Sequence, residues 1–283
     1  MKKVNFFAVA MVVMIATINL LNAQEKYAVI IGGNVNPNIQ AIPLAEQWNG
    51  GFNPGPYGFD EIWNDAYLAW EMLISEEDFG KGYHLDNVHV LFGDSPVQDF
   101  TFPLQTTRYQ AAHNGQYQVV DEDANKTTIN NRFTALASTI TADDFLFVWI
   151  MGHGGTDATG SYFYSYDNQK IHDTELAGWL NGISAHKKQV FLSFPKSGGF
   201  IPELEAGGNI VITACGATEG ASRADDMAPN GGFIENEVIN TIIYNHGEMN
   251  YHFLASLTGK TPLGSGIYAG VNLHLADQNN DNY

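Results

Sequence analysis

Two apolar runs that each stop at a glycine-rich segment constrain the fold of this chain more than any other feature. The run at residues 145–151 is followed by His153 between glycines, and the run at residues 189–194 is followed by Pro195 and then Ser-Gly-Gly. Apolar runs of this length, bounded by glycine and proline, are typical of buried strands. Because parallel strands bring the residues that follow them to one edge of a sheet, we expect His153 and Pro195 to meet at a ligand-binding edge.

The rest of the chain alternates between strand and helix patterns. Further strands are predicted at residues 26–31, 88–92 and 209–214, and helices at residues 59–75, 126–140, 173–180 (capped by Asp173 or Thr174) and 233–244. This order predicts an α/β fold, a three-layer sandwich with a mostly parallel central sheet and helices on both faces. We interpret residues 24–275 as one domain.

The first 23 residues have the pattern of a secretory signal peptide. Lys2 and Lys3 precede an almost wholly apolar stretch at residues 6–21, and Ala23 is a small residue for cleavage before Gln24. The alternative is an uncleaved membrane anchor, which the short apolar length disfavours. We therefore predict a protein that is secreted or held in the cell envelope, with no stable membrane insertion once the signal is removed.

The charge of the chain limits the classes of partner. It has 31 Asp and Glu residues against 13 Lys and Arg residues, a formal net charge of −18. A surface this acidic, without a basic run, does not favour binding to nucleic acid or to anionic lipid. The single cysteine, Cys215, excludes an internal disulfide bond.

The two glycine-rich segments have most of the pattern of a thiol peptidase site. In such a site a histidine keeps a cysteine thiol ionised and later protonates the leaving amine. Glycines beside these groups let a peptide backbone approach and leave backbone amides available to a developing oxyanion. His153-Gly154 and Ser197-Gly198 fit this pattern, whereas the position expected for the thiol holds Pro195.

On these residues the chain resembles the legumain branch of the caspase-like cysteine peptidases. That family has a strand followed by His-Gly, then a helix, then a strand followed by Cys-x-Ser-Gly. The resemblance covers residues 26–245 and implies the caspase-like fold, a peptide or protein substrate, and a role for Asn34 in positioning the histidine. It also implies that the strand and loop around Cys215 and Ser222 wall the specificity pocket.

Two departures from the family pattern bear on activity. The catalytic thiol falls at Pro195, which offers neither a nucleophile nor a backbone N–H for an oxyanion. A basic residue that lines the family's pocket for acidic side chains falls near Glu61. We therefore expect a catalytically impaired homologue, a pseudoenzyme that binds a peptide or protein. The alternatives are an active cysteine-type endopeptidase whose nucleophile is altered or unrecognised, and a purely structural or adhesion module.

Ser197 and Cys215 are candidates for a substitute nucleophile, and each has a simpler interpretation. Ser197 lies two residues beyond the strand edge, where hydroxyls commonly bond to the backbone of their own turn. Cys215 follows the strand beyond Pro195. Two strand spacings of about 4.8 Å would separate it from His153, too far for a direct thiol–imidazole bond. We expect Cys215 to be a small buried side chain or part of a pocket wall.

The C-terminal residues 276–283 resemble the first half of a calcium-binding loop. Asp277, Asn279 and Asp281 place oxygen ligands at alternate positions, and the acidic residue that would complete the loop is not in the sequence. The segment is interpreted either as the start of a calcium site or as a solvated terminus. No other cofactor is predicted.

Overall fold

The structure is a computed structural model that describes residues 24–33, 60–74, 82–93, 119–221, 237–239, 242–244, 247, 249–250 and 253. In chain order its strands are β1 (Lys26–Gly32), β2 (Val88–Phe92), β3 (Phe145–Met151), β4 (Gly154–Thr156), β5 (Ser161–Tyr164), β6 (Lys170–His172), β7 (Lys187–Ser193), β8 (Ile210–Thr213), β9 (Glu237–Ile239) and β10 (Ile242–Tyr244). Its helices are α1 (Asp60–Ile74), α2 (Lys126–Thr139), α3 (Asp173–Asn181) and α4 (Ile201–Ala206), and 3-10 turns cover Leu85–Asn87 and Ser197–Phe200.

Five parallel strands form the central sheet in the order β2-β1-β3-β7-β8. The register pairs Met151 with both Gly32 and Ser193, so β1, β3 and β7 end level with one another. Leu192 is paired with Thr213, which brings the end of β8 to the same edge. The predicted α/β fold with a mostly parallel sheet is confirmed, and the segments that follow these strands share one edge.

Alternate side chains of the strands build a separate apolar core on each face of the sheet. Ile30, Trp149 and Phe191 are buried on the face covered by α1. Val148 and Val190 are buried on the opposite face, together with residues of α2, α3 and α4. Because both faces are covered, β3 and β7 are continuous apolar runs rather than alternating ones. Burying a side chain the size of Phe191 contributes about 1.5–3 kcal/mol to folding.

Helix α3 is held at both ends by side chains that the sequence pattern did not identify. Its N-cap is His172 rather than Asp173 or Thr174, and the side chains of His172 and Glu175 form a reciprocal capping box. At its other end the buried ammonium of Lys188 donates hydrogen bonds to the backbone oxygens of Leu180 and Ile183, at 2.8 and 3.2 Å. Burial lowers the pKa of Lys188. These contacts fix α3 against the end of the sheet at which β7 begins.

The predicted helix at residues 233–244 is wrong. Its described residues form β9 and β10, an antiparallel pair in which Ile242 lies opposite Ile239. The β-branched residues of this segment favour strands over helices, and that preference prevails over the helical spacing of its apolar positions. The sequence also did not predict the antiparallel sheet β4-β5-β6, which follows His153 directly.

Several predictions lie outside the described residues. These are the signal peptide at residues 1–23, Asn34, Ser222, and the calcium-loop positions Asp277, Asn279 and Asp281. Glu61 lies in the first turn of α1, but its side chain is outside the described part of the structure. Within the described residues, no helix combines the length and the apolar character that crossing a bilayer requires.

Candidate functional site

The two glycine-rich segments lie side by side at the carboxyl edge of the sheet. The strands before them are neighbours, and the backbone N–H of Gly152 donates a 3.3 Å hydrogen bond to the oxygen of Ser193. A Cβ atom on Gly154 would lie 2.4 Å from the ring of Phe194 and 2.5 Å from the backbone oxygen of Pro195. The structure therefore brings the segment of His153 against the segment of Pro195, as the strand pattern predicts. His153 is exposed to solvent.

The end of β1 completes this edge on the other side of β3. The backbone N–H of Gly33 donates a 2.7 Å hydrogen bond to the oxygen of Met151, and a Cβ atom on Gly33 would lie 2.6 Å from the oxygen of Tyr164. Gly152 has φ +146°, in the region that favours glycine, and approaches Gly33 closely. Glycine is thus required where the loops after β1 and β3 cross. Asn34 follows Gly33 and lies outside the described residues.

Pro195 occupies the first corner of a tight turn. The N–H of Ser197 donates to the oxygen of Phe194 at 3.2 Å, and Lys196 at the second corner has φ 67° and ψ 16°. This is the geometry of a type II turn, in which proline is favoured at the first corner and glycine at the second. Proline fits the turn, but its ring supplies no nucleophile, and its missing N–H leaves this position without an oxyanion donor.

The turn is fastened to the loop that follows β8. The backbone N–H groups of Lys196 and Gly198 donate to the oxygens of Glu219 and Cys215, at 3.0 and 2.9 Å. The Lys196 ammonium also donates to the backbone oxygen of Thr218. These bonds hold the turn on the side opposite β4. The backbone at Pro195 is therefore fixed between β4 and the loop after β8.

Ser197 and Cys215 are both buried behind the turn. Ser197 is fully buried, and its hydroxyl lies 3.4 Å from the backbone oxygen of Cys215 and 3.5 Å from the sulfur. The Cys215 thiol donates to the backbone oxygen of Phe194 at 3.3 Å. Because this thiol is buried and its S–H is donated to the backbone, it is not presented to a substrate at the edge of the sheet. Cys215 follows β8, one strand beyond β7, as predicted.

The residues that the sequence analysis missed lie on the outer face of the sheet β4-β5-β6. Tyr162 is paired with Gly155 on one side and with His172 on the other. The N–H of Tyr164 donates to the oxygen of His153 at 2.9 Å, so the pairing continues to the histidine. Residues two apart on a strand share a face, and therefore His153, Tyr162, Tyr164 and His172 all belong to this face. The alternation of residues 161–165 was the signal that could have revealed it.

Hydrogen bonds between charged groups connect the side chains on this face. The carboxylate of Asp157 accepts hydrogen bonds from the Lys170 ammonium at 2.6 Å and from Nε2 of His172 at 3.2 Å. The bond to Lys170 is the main reason that the pKa of Asp157 lies well below its usual range, and the same bond raises the pKa of Lys170. The ammonium also lies 4.1 Å from the centre of the Tyr162 ring. A hydrogen bond to Tyr162 raises the pKa of Tyr164.

His172 resembles a catalytic histidine in having a carboxylate partner, but both of its ring nitrogens are engaged. Since the carboxylate of Asp157 only accepts, Nε2 carries the proton, and the other nitrogen accepts from the backbone N–H of Glu175 in the capping box. An imidazole held in this way cannot take a proton from a nucleophile without giving up the hydrogen bond that caps α3. His172 therefore has a structural role, and His153 is the candidate histidine of the site.

The described part of the chain shows no metal centre beside these residues, and its described cavity lies elsewhere. No three His, Cys, Asp or Glu side chains among the described residues are grouped so as to hold a metal ion. A cavity of about 320 Å³ lies at the amino ends of β1, β3 and β7, lined by Lys26, Phe145 and Gln189 among others. It is at the opposite edge of the sheet from His153.

Comparison of the chain with models of known protein families gives no match. Comparison with curated proteins gives no match either.

Proposed function

We propose that this protein is a member of the legumain branch of the caspase-like peptidases whose usual catalytic centre lacks its nucleophile. In this proposal its fold is the caspase-like three-layer sandwich, and it acts by binding a peptide or protein segment at the carboxyl edge of the sheet. The signal-peptide pattern at residues 1–23 supports a location outside the cytoplasm, secreted or in the cell envelope.

The observation that carries the proposal is the contact between the two segments at this edge. His153-Gly154 and the turn at Pro195 follow adjacent parallel strands, and Gly154 touches the Pro195 backbone. This is the placement that a histidine and a thiol need in order to act on one peptide bond. Pro195 offers neither a thiol nor an amide donor at this position, while the glycine at 154 still lets the two segments meet.

The two candidate substitute nucleophiles do not favour an active peptidase. Ser197 and the Cys215 thiol are buried and hydrogen-bonded behind the turn, away from the exposed His153. The alternative of an unrecognised nucleophile therefore gains no support from these two residues. Binding without cleavage accounts for a sheet edge that carries the histidine and the glycines but has no nucleophile at the turn.

The test uses the secreted chain as it stands, with a mixed-sequence peptide library and a thiol-directed activity probe. We expect the unaltered protein to bind peptides from the library without cleaving them and to remain unlabelled. Pro195→Cys is the restoration, and Pro195→Ala is its control, since both remove the proline but only one supplies a thiol. We expect probe labelling of Pro195→Cys that depends on His153.

Two results would contradict the proposal. Labelling of Cys215 in the unaltered protein, with loss of the signal in His153→Ala, would mean that the protein is an active cysteine peptidase. Failure of the unaltered protein to bind any peptide from the library would mean that the edge is not a peptide-binding site.

A further inference from the structure

Strand β4 has one edge that no strand covers among the described residues. β4 pairs with β5 alone, at the border of the sheet β4-β5-β6. The N–H of Tyr164 donates to the oxygen of His153, and the N–H of Asp157 donates to the oxygen of Gly160. In an antiparallel pair the hydrogen-bonded positions alternate along the strand. His153, Gly155 and Asp157 therefore bond to β5, whereas Gly154 and Thr156 direct their N–H and C=O groups to the other side.

This edge begins at the candidate site. Gly154 is the residue that touches the Pro195 backbone, and the residue before it is His153. The Pro195 turn lies against the inner face of β4, and the Tyr162 ring lies against the outer face at Gly155, where a Cβ atom would be 2.6 Å from the hydroxyl. A chain laid along the edge would thus have the turn on one side and the tyrosine on the other.

Among the described residues, nothing that is paired with β4 blocks the approach of another backbone to this edge. Thr156 is exposed, and neither glycine has a side chain that could block the edge. Gly154 and Thr156 each offer one N–H and one C=O, separated by two residues of an extended strand, or about 7 Å. Alternate residues of an extended polypeptide repeat with the same spacing, so the pattern of donors and acceptors matches a peptide backbone.

We propose that the peptide ligand of this protein binds as an added strand on β4, through the backbone N–H and C=O groups of Gly154 and Thr156. This inference rests on the proposed function and specifies how the ligand is held. Alternate ligand side chains point toward the Pro195 turn and toward the Tyr162 face. Main-chain pairing is tolerant of sequence, so the Pro195 turn and the Tyr162 face determine which ligand side chains are preferred.

The occupant is an extended peptide without excess negative charge. An N–H and C=O pattern that repeats every second residue is satisfied by main chain rather than by a compact small molecule. The chain carries a formal net charge of −18, which repels acidic segments at low ionic strength. Neutral or basic extended segments of another protein meet both conditions.

The experiment begins with linear twelve-residue peptides selected by display against the full secreted chain. Thr156→Pro removes the outward N–H of Thr156 and places a ring in its position, and proline is accepted at an edge whose N–H is not used in the ladder. Thr156→Ala is the matched control because it removes the side chain and keeps the N–H. We expect Thr156→Pro to weaken binding of a selected peptide by about tenfold or more, and Thr156→Ala to change it by less than about twofold.

A second measurement uses the unaltered protein and the same peptide with single backbone N-methyl groups. Strand addition predicts that methylation weakens binding at every second residue over the paired stretch and has little effect between. This scan decides the question even where Thr156→Pro fails to fold, which thermal unfolding of the variant reveals.

The outcomes distinguish a failure of the added strand from a failure of the proposed peptide-binding function. Weakened binding with Thr156→Pro together with a period-two methylation pattern supports the added strand. Selected peptides that bind equally to both Thr156 variants and show no such period overturn the added strand and leave the proposed function intact. A selection that yields no binding peptide overturns the proposed function, and the added strand with it.

Discussion

The backbone oxygen of Pro195 lies so close to Gly154 that a Cβ atom on Gly154 would be 2.5 Å from it. The same Cβ atom would meet the Phe194 ring at 2.4 Å and the oxygen of Tyr162 at 2.9 Å. Two of the three obstacles are backbone oxygens and the third is the ring of the fully buried Phe194, so none can move without shifting a strand or the turn. The close approach of the two segments therefore depends on glycine at position 154.

The first prediction concerns the two glycines of β4. Gly154→Ala should lower the free energy of unfolding by roughly 1–3 kcal/mol, because overpacking here displaces backbone. Gly155→Ala is the matched control. Its Cβ atom would meet the outer end of the Tyr162 side chain, which can rotate away, so its cost should be clearly smaller. Urea unfolding of both variants measures the difference, and equal costs would contradict the proximity of Gly154 to the turn.

The second prediction concerns Lys196, which has φ 67° at the second corner of the turn. A residue with a Cβ atom pays about 1–2 kcal/mol for this left-handed conformation, and glycine does not. Lys196→Gly and Lys196→Ala both lose the contact with Thr218, so their comparison isolates the backbone effect. We expect the glycine variant to be more stable by about 1 kcal/mol in denaturant unfolding. An alanine variant of equal or greater stability would mean that Lys196 does not adopt this conformation.

The third prediction concerns the pH dependence of stability through His89 on β2. Burial, and then the positive charge of Arg132, lower the pKa of His89 to about 4. Because the unfolded chain has a histidine pKa near 6.5, the folded state favours the neutral ring. The stability from this effect is complete above about pH 6.5 and is lost as the pH falls from there toward 4.

His89→Gln removes this titration. The loss of unfolding free energy between pH 6.5 and pH 4 should become shallower than in the unaltered protein, by roughly 1–2 kcal/mol over the interval, since solvent screens part of the effect on this partly buried ring. His186→Gln, at an exposed position, controls for the loss of a histidine in general. Identical pH profiles for the unaltered protein and His89→Gln would contradict the burial of this ring.

The fourth prediction concerns the reactivity of the single thiol. Cys215 is 8% exposed and donates its S–H to the backbone of Phe194. A water-soluble disulfide reagent should therefore modify it no faster than the protein opens, and rapidly once the protein is unfolded in urea. Ser197→Ala should speed the reaction by loosening the contact at 3.5 Å. Rapid modification of the folded, unaltered protein would show that the thiol is accessible.

The central strands could be predicted because their own residues determine them. Residues 145–151 are apolar throughout and bounded by acidic and glycine residues, and the predicted strand coincides with β3. Helix α2 was predicted to within one residue for a similar reason, since Ile129, Phe133 and Leu136 repeat at helical spacing. In both cases burial leaves a record in the sequence, as a continuous apolar run in β3 and as a helical period in α2.

The short elements were harder to predict because their neighbours decide them. Strands β4 and β6 have three residues each, too few to show a period, and they exist because β5 lies between them. At residues 237–244 the apolar spacing was compatible with a helix, and pairing of β9 with β10 decided in favour of strands. Local preference is weak over so few residues, and tertiary pairing prevails.

By itself, the sequence determined that two buried strands would bring His153 and Pro195 to one edge. That conclusion follows from the two apolar runs and from the glycine and proline that end them, which are local features of the chain. Tertiary structure alone decided that Gly154 touches the Pro195 backbone and that Ser197 and Cys215 are buried behind the turn. It also decided that no strand in the described part of the chain pairs with the outer edge of β4. These are distances between segments far apart in the chain, and they are set by the register of neighbouring strands rather than by any local pattern of residues.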